Sequence, residues 1–371
     1  MIVGVPKEVK NHEYRVAATP EGVRDLVHAG HQVVVETTAG EGSAIADADF
    51  EGAGAKILPS ADAVFVEADL IIKVKEPQPP EYERFKEGQT LFTYLHLAAD
   101  EGLTRFLMAR KIRGIAYETV QLPDGRLPLL APMSEIAGRM APQVGAAALE
   151  RPNGGRGVLM GGAPGVAAAN VVILGAGMAG SNAAQIAAGM EAQVTIVDKD
   201  IERLRQIDRI WHGRIQTAAS SALAVERLIL AADLVIGAVL VPGAKAPHLV
   251  SAQQVSRMQA GSVLVDISID QGGCFETSHM TTHDDPTYVV DGVVHYCVGN
   301  MPGAVPRTST YALTNATWPY VMAIAAQGAA AAVAADPALA LGVNTWGGAV
   351  TNVGVADAHG LAAAALAEMM K

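Results

Sequence analysis

Residues 171–180 read Val-Val-Ile-Leu-Gly-Ala-Gly-Met-Ala-Gly. An apolar, strand-like run leads straight into Gly175, Gly177 and Gly180, and residues 181–190 continue as a good helix former. A second apolar run, Gln193 to Val197, ends on Asp198. Strand, glycine turn, helix, strand and terminal acid in that order confine this stretch to a dinucleotide-binding βαβ unit. Gly175 allows the tight turn, Gly177 lets the backbone approach a pyrophosphate, and Gly180 lets the helix pack on the strand. The helix N-terminus turns its N–H groups and partial positive charge toward the phosphates. Asp198 can accept two hydrogen bonds from the adenosine ribose and would repel a 2′-phosphate, so NAD is expected in preference to NADP. The alternative is a glycine-rich turn that serves only helix–strand packing.

At 371 residues the chain has room for two domains. Lys plus Arg total 27 against 38 Asp plus Glu, and this net charge of −11 without a basic stripe argues against nucleic-acid binding. Cys274 and Cys297 are the only cysteines; they suggest neither a disulfide framework nor a metal site, and they fit a reducing cytoplasm. Residues 157–190 and 308–334 lack charge, but glycines, Pro164, Pro319 and polar residues interrupt both, so buried helices are expected there and no membrane span. The opening Met-Ile-Val-Gly-Val-Pro-Lys-Glu reads as a strand and not as a secretion signal.

The first third alternates strand-like and helix-like pieces. Strands are expected at Ile2–Pro6, Gln32–Glu36, Asp69–Lys75, Thr90–Leu95 and Ile115–Val120. Thr19 caps a helix opening on Pro20, and a further helix runs from about Asp100 to Arg110. Ser134 and Glu135 start a long helix reaching about Glu150, and strands return at Leu234–Val239 and Val263–Ile267. The last 60 or so residues read as alanine-rich helix with no strand pattern, returning to the first domain. The expected fold is therefore α/β, with two doubly wound Rossmann-like domains and an active-site cleft between them. The boundaries are 1–128 plus 307–371 for a discontinuous substrate-binding domain and 129–306 for the NAD-binding domain.

Four polar features lie just beyond expected strand ends, where open α/β sheets bind ligands. They are Arg15 in the passage Lys7–Arg15, Lys75 before Glu76-Pro77, His96 after Tyr94-Leu95, and Asp270 after Val263–Ile267. Each also has an ordinary explanation. Arg15 could be a surface ion-pair partner, Lys73 and Lys75 solvated strand-end residues, His96 a satisfied core histidine, and Asp270 a turn cap before Gly272-Gly273.

Longer strings bear on that choice. Gly-Val-Pro-Lys-Glu-Val-Lys-Asn-His-Glu-Tyr-Arg-Val (4–16), Lys-Val-Lys-Glu-Pro (73–77), Thr-Tyr-Leu-His-Leu-Ala (93–98) and Tyr-Glu-Thr-Val (117–120) occur in order. Pro-Met-Ser-Glu-Ile-Ala-Gly (132–138), the glycine turn, Asp-Ile-Ser-Ile-Asp-Gln-Gly-Gly (266–273) and Asn-Met-Pro-Gly-Ala-Val-Pro-Arg-Thr-Ser-Thr (300–310) follow. Over essentially its whole length the chain resembles the alanine dehydrogenase family. The resemblance implies reversible, NAD-dependent conversion of L-alanine and water to pyruvate and ammonia, without a metal. It assigns the substrate carboxylate to Arg15, the pyruvate oxygens to Lys75, acid–base work to His96, and the amine or carbinolamine stage to Asp270. Tyr94, Met133, Asn300 and Met301 would line the substrate pocket. The cofactor would meet Ser134, Gly175, Ala176, Gly177, Met178, Ala179, Gly180, Asp198, Leu240, Ile267, Asp270, Asn300 and Met301. Family members also imply a cytoplasmic homohexamer.

The nucleotide-binding subunit of proton-translocating transhydrogenase shares the opening pattern and the glycine turn. It is not expected to carry both Lys75 within Lys-Val-Lys-Glu-Pro and His96 within Tyr-Leu-His-Leu-Ala. A saccharopine or lysine-type dehydrogenase shares the architecture but needs a longer pocket and an extra carboxylate partner. A redox-sensing NADH-binding protein would bind the dinucleotide and oxidise no amino acid.

Overall fold

The computed structural model describes residues 1–239 and 247–370. Its strands are β1 (Ile2–Val5), β2 (Gln32–Glu36), β3 (Lys56–Leu58), β4 (Leu70–Ile72), β5 (Thr90–Thr93) and β6 (Arg113–Ala116), followed by β7 (Asn170–Leu174), β8 (Gln193–Asp198), β9 (Ile215–Ala219), β10 (Leu234–Gly237) and β11 (Val263–Asp266). β12 (Thr287–Val290), β13 (Val293–Tyr296), β14 (Val343–Trp346) and β15 (Ala349–Val350) complete the set. Packing divides the chain into two compact units, one of Met1–Met133 with Gly303–Lys371 and one of Ser134–Pro302.

The first unit holds a sheet in the order β15-β14-β6-β5-β4-β1-β2-β3. Neighbours from β3 to β6 pair in parallel. Apolar strands such as Leu70, Ile71 and Ile72 are wholly buried, as a parallel sheet covered by helices on both faces requires. Thr19 caps the helix Pro20–His28 by accepting the Gly22 N–H, and Asp100 caps Glu101–Ala109 by accepting the Leu103 N–H at 2.9 Å. Between β1 and β4 the strand order reverses direction. A reversal of this kind opens a crevice beyond the carboxyl ends of the strands, where ligands bind.

The second unit repeats the plan. Its order is β12-β13-β11-β10-β7-β8-β9, parallel from β9 to β13, with β12 antiparallel at the edge. Counted within the unit, the parallel strands run 3-2-1-4-5-6, the dinucleotide-binding order, and the reversal falls between β7 and β10. Its core joins Val172, Leu174, Val235 and Leu264 of the sheet to Val225, Ile229 and Val255 of the covering helices.

Several expectations from sequence need correction. The strand expected over Ile115–Val120 ends at Ala116 and gives way to a 3-10 turn, Tyr117–Thr119. The strand expected over Asp69–Lys75 spans only Leu70–Ile72. The long helix starts at Ala131 and ends at Ala148, so Ser134 lies inside its first turn. The tail is not all helix: β14 pairs antiparallel with β6, and β15 with β14. Both sheets are therefore mixed, each with antiparallel pairing confined to one edge.

Candidate active site

In the first unit the candidate residues hang from the carboxyl ends of β1, β4 and β5. The segment after β1 carries Glu13 and Arg15 into the interior. The Arg15 guanidinium is only 2% exposed. It donates to Glu13 through Nε at 2.6 Å and through Nη2, and its Nη1 lies 2.9 Å from Sδ of Met133. Burial alone would raise the Glu13 carboxyl, but the hydrogen bonds and charge of Arg15 outweigh it and hold Glu13 below the usual carboxylate range. Burial likewise works against the charged Arg15, and Glu13 more than restores it. Arg15 is thus no surface ion-pair partner.

The segment after β4 separates two lysines that sequence alone cannot tell apart. Lys73 is wholly buried between Glu8 Oε2 at 3.0 Å and Glu81 Oε1 at 2.9 Å, and Glu8 also accepts the Val74 N–H. It is an internal ion-paired anchor and not a solvated strand end. Lys75 is half-buried, with Nζ 5.9 Å from the centroid of the Tyr94 ring. Burial first, then the like charge of Arg15, lowers the Lys75 ammonium below the ordinary lysine value.

After β5, Tyr94 is buried and its hydroxyl donates to the Leu129 carbonyl at 2.6 Å, which fixes the ring as a wall. His96 is exposed, so it is not a core histidine. Its imidazole lies parallel to Tyr94, with centroids 5.8 Å apart and planes 5° apart. Its backbone is left-handed, at φ 50° and ψ 35°. Arg15 thus touches Met133, Tyr94 lies between Lys75 and His96, and the charge of Arg15 is felt at Lys75.

The second unit carries the glycine turn at its strand-order reversal. Gly175 has φ +106°, and a Cβ on Gly180 would lie 1.8 Å from the Gly175 carbonyl oxygen, so the turn closes only with glycine at both places. Among the described residues, a Cβ on Gly177 would meet only Nη1 of Arg203, at 3.7 Å. Gly177 is the N-cap of the helix Met178–Gly189 and supplies no side-chain cap. Gly177 without a side chain, and helix N–H groups with no side-chain cap among the described residues, form a cradle of the kind a pyrophosphate fills. Asp198 is buried, and its carboxylate accepts the Ala176 N–H at 2.6 Å and the Asp200 N–H at 2.8 Å. The acid therefore also braces the turn.

Ser134 reaches this region indirectly. A Cβ on Gly138 would sit 2.2 Å from the Ala179 carbonyl oxygen, so the long helix touches the turn there. Ser134 is one helical turn away on the same face. Asp270 is exposed in a 3-10 turn, Ile269–Gln271, and its Oδ2 lies 3.4 Å from the Asn300 N–H. The loop is secured by Asp266, which is fully buried and accepts the N–H groups of Ser268 at 3.0 Å and Cys274 at 2.7 Å, and the Ser278 hydroxyl at 2.6 Å. The Ile267 N–H donates to the Gly237 carbonyl at 2.9 Å, and Met301 is buried at the start of another 3-10 turn. Leu240 lies outside the described residues.

Three residues escaped the sequence reading. Glu13 flanks Arg15 in the opening string. Glu118 accepts two backbone N–H groups at the end of β5. Arg203 brings Nη1 to 3.8 Å from Asp198 Oδ2, on the helix that follows the acid. A cation placed shortly after the acid expected at the ribose is a signal that the sequence carries. Among the described residues no group of three or more His, Cys, Asp or Glu is placed to hold a metal ion, and no helix is long and apolar enough to cross a membrane.

The chain matches known family models and relatives over nearly its whole length. Residues 4–137 match the model for the alanine dehydrogenase/PNT N-terminal domain, and residues 141–353 match the model for the C-terminal domain. A protein named alanine dehydrogenase from Mycolicibacterium smegmatis is 60% identical over 356 residues, 96% of each chain. A solved structure titled L-alanine dehydrogenase superposes with a TM-score of 0.95 at 51% identity, covering 97% of this chain and 99% of that one. A transhydrogenase structure from Sinorhizobium meliloti superposes at 0.81 with 26% identity, covering 95% of this chain and 99% of that one.

Proposed function

The chain belongs to the alanine dehydrogenase/PNT family, and from that premise we propose that it is an NAD-dependent L-alanine dehydrogenase. It would interconvert L-alanine, NAD⁺ and water with pyruvate, ammonium, NADH and a proton. The observation that carries this reading is the pair of cations, buried Arg15 and half-buried Lys75, together with the Tyr94–His96 pair, in a unit distinct from the one with the glycine turn.

A nicotinamide dinucleotide suits the second unit, where the glycine cradle takes the pyrophosphate and Asp198 takes the adenosine ribose. When bound, it supplies the hydride acceptor for alanine oxidation. Ser134, the backbone of Ala176, Met178 and Ala179, and Ile267, Asn300 and Met301 complete its assigned contacts, as does Leu240. Negative charge at Asp198 favours NAD over NADP.

The protein's own groups handle charge and protons. Arg15, whose Nε–Nη2 edge is held by Glu13 and whose Nη1 lies beside Met133, would set its planar guanidinium charge against the substrate carboxylate. Lys75 would place its ammonium against the oxygen of the 2-oxo acid and stabilise charge there. His96 would take a proton from the water that adds to the iminium carbon and return it as the carbinolamine loses ammonia. Asp270 would hold the amine. Tyr94 and Met133 would bound a pocket of alanine size. The same reading implies a homohexamer in the cytoplasm.

NADH formation from NAD⁺, assayed against a panel of amino acids, tests the proposal. L-alanine is expected to be the best substrate. Turnover of saccharopine or lysine without alanine would move the assignment to that dehydrogenase class. Binding of NADH with no amino-acid oxidation would make the chain a sensor or a hydride-passing module.

A further inference from the structure

Building on the reading of His96 as the acid–base group, we propose that Glu118 is its positioning residue. β6 ends at Ala116, and the 3-10 turn Tyr117–Thr119 folds the Glu118 side chain back to the end of β5. There one carboxylate gathers two successive backbone donors. Oε1 accepts the Leu95 N–H at 3.1 Å and the His96 N–H at 2.6 Å, and Oε2 is 3.3 Å from the Leu95 N–H. Hydrogen bonds to an ionised acceptor are among the stronger ones available to a backbone.

The backbone they hold is an unfavourable one. His96 sits in the left-handed region, which non-glycine residues occupy only when surrounding structure over-determines it. Strain of this kind at an exposed, titratable side chain calls for a restraint, and Glu118 supplies it from a neighbouring strand end. The same carboxylate stands 3.9 Å from His96 Nδ1. That is ion-pairing range when the ring is protonated, and it favours keeping the proton of the neutral ring on Nδ1. Nε2 is then the nitrogen that exchanges protons with the reacting water. Tyr94 fixes the plane of the ring, since its hydroxyl is tied to Leu129 and its ring lies parallel to the imidazole. Among the described residues, charged and titratable groups on the elements next to His96 include Glu118 after β6, Tyr94 with Lys75 over its ring, Asp100 capping the next helix, and His359, whose Nε2 lies 2.7 Å from the Leu97 carbonyl. All but Glu118 stay in place when Glu118 alone is changed.

The test compares the full-length chain with Glu118→Gln and Glu118→Ala. Glutamine keeps an oxygen for the two N–H groups and removes the charge facing the ring. Glu118→Gln is expected to leave the NADH dissociation constant, the KM for pyruvate and the thermal midpoint within about 2-fold or 2 °C of wild type, and to lower kcat about 10-fold. Glu118→Ala lowers kcat about 10²-fold, so the conservative variant rescues part of the loss. Unchanged kcat in both variants overturns the proposal. A rise in KM with constant kcat also overturns it, as does loss of NADH binding and thermal stability in Glu118→Gln. Failure of the wild type to oxidise alanine would sink the parent reading and leave this one testable. The ¹⁵N shifts of the His96 imidazole, titrated with and without the Glu118 carboxylate, report positioning without turnover, and identical titrations would refute it.

Discussion

Removing the Glu13 carboxylate would take a hydrogen-bonded counter-charge away from the buried Arg15 guanidinium, and loss of a charged hydrogen-bond partner inside the protein is costly. Glu13→Ala is therefore expected to destabilise the chain by about 1–3 kcal/mol in urea unfolding. Because the folded carboxyl titrates below its ordinary value, its contribution is fully present above the ordinary carboxylate range and is lost as pH falls through the lower folded value. The stability difference between wild type and variant should shrink on acidification through that window. Lys75 makes the opposite kind of prediction. Its ammonium is lowered by burial and by Arg15, so pyruvate binding to the NADH complex should weaken as pH rises through a value below the ordinary lysine range. Lys75→Gln should abolish that limb; a limb that persists belongs to another group. His96→Ala should cost about 10²–10⁴-fold in kcat with NADH binding intact, and near-normal kcat would remove His96 from the chemistry. These roles were legible only as candidates in the sequence. Lys73 and Lys75 flank one valine, and nothing local says that Glu8 and Glu81 close around the first while the second faces Tyr94.

Single elements carry their own tests, and the glycine turn is the sharpest. Among the described residues, a methyl group on Gly177 meets only the side chain of Arg203, whereas one on Gly180 collides with the Gly175 carbonyl. Gly177→Ala should fold normally and lose NADH affinity, while Gly180→Ala should lose both affinity and thermal stability. Equal thermal midpoints for the two would show that the turn tolerates what its geometry forbids. Asp198 belongs to the same element because it braces Ala176. Asp198→Ala should weaken NAD binding and narrow the NAD/NADP discrimination, since Arg203 then stands beside the ribose site with one acid fewer. An unchanged ratio of the two KM values would place Asp198 away from the ribose. This βαβ unit was readable in advance because its glycines, helix and acid are contiguous and each has a local steric reason. The segments after β4 and β6 were misjudged for the converse reason: apolar and β-branched residues continue past the last ladder bond, and only pairing partners decide where a strand stops.

Over the whole molecule, the two ends of the chain form one unit. Thr345 bonds Gly114 from 231 residues away, and β14 covers the edge of β6. We propose the two compact units as separate folding domains. A fragment of residues 134–302 should melt cooperatively on its own, whereas residues 1–133 alone should aggregate, because the exposed β6 edge becomes a template for foreign strands. A soluble, cooperatively folded 1–133 fragment would refute the dependence on the tail. The tail strands were not legible because four residues, Val-Asn-Thr-Trp, sit between an alanine-rich helix and Gly347-Gly348, and their partner is remote in sequence.

Sequence alone determined what local sterics and charge determine. That covers the dinucleotide turn, the alternation that makes two α/β sheets, the excess of acid over base, and the motif strings that mark the family. The tertiary structure decided which charges are buried and with whom: Lys73 as an anchor, Arg15 clasped by Glu13, Asp198 bracing the turn, Glu118 beneath His96, and the tail completing the first sheet. Each of these depends on residues that are distant along the chain or share no periodicity. Their energies come from desolvation and from partner geometry, and neither quantity exists until the chain has folded.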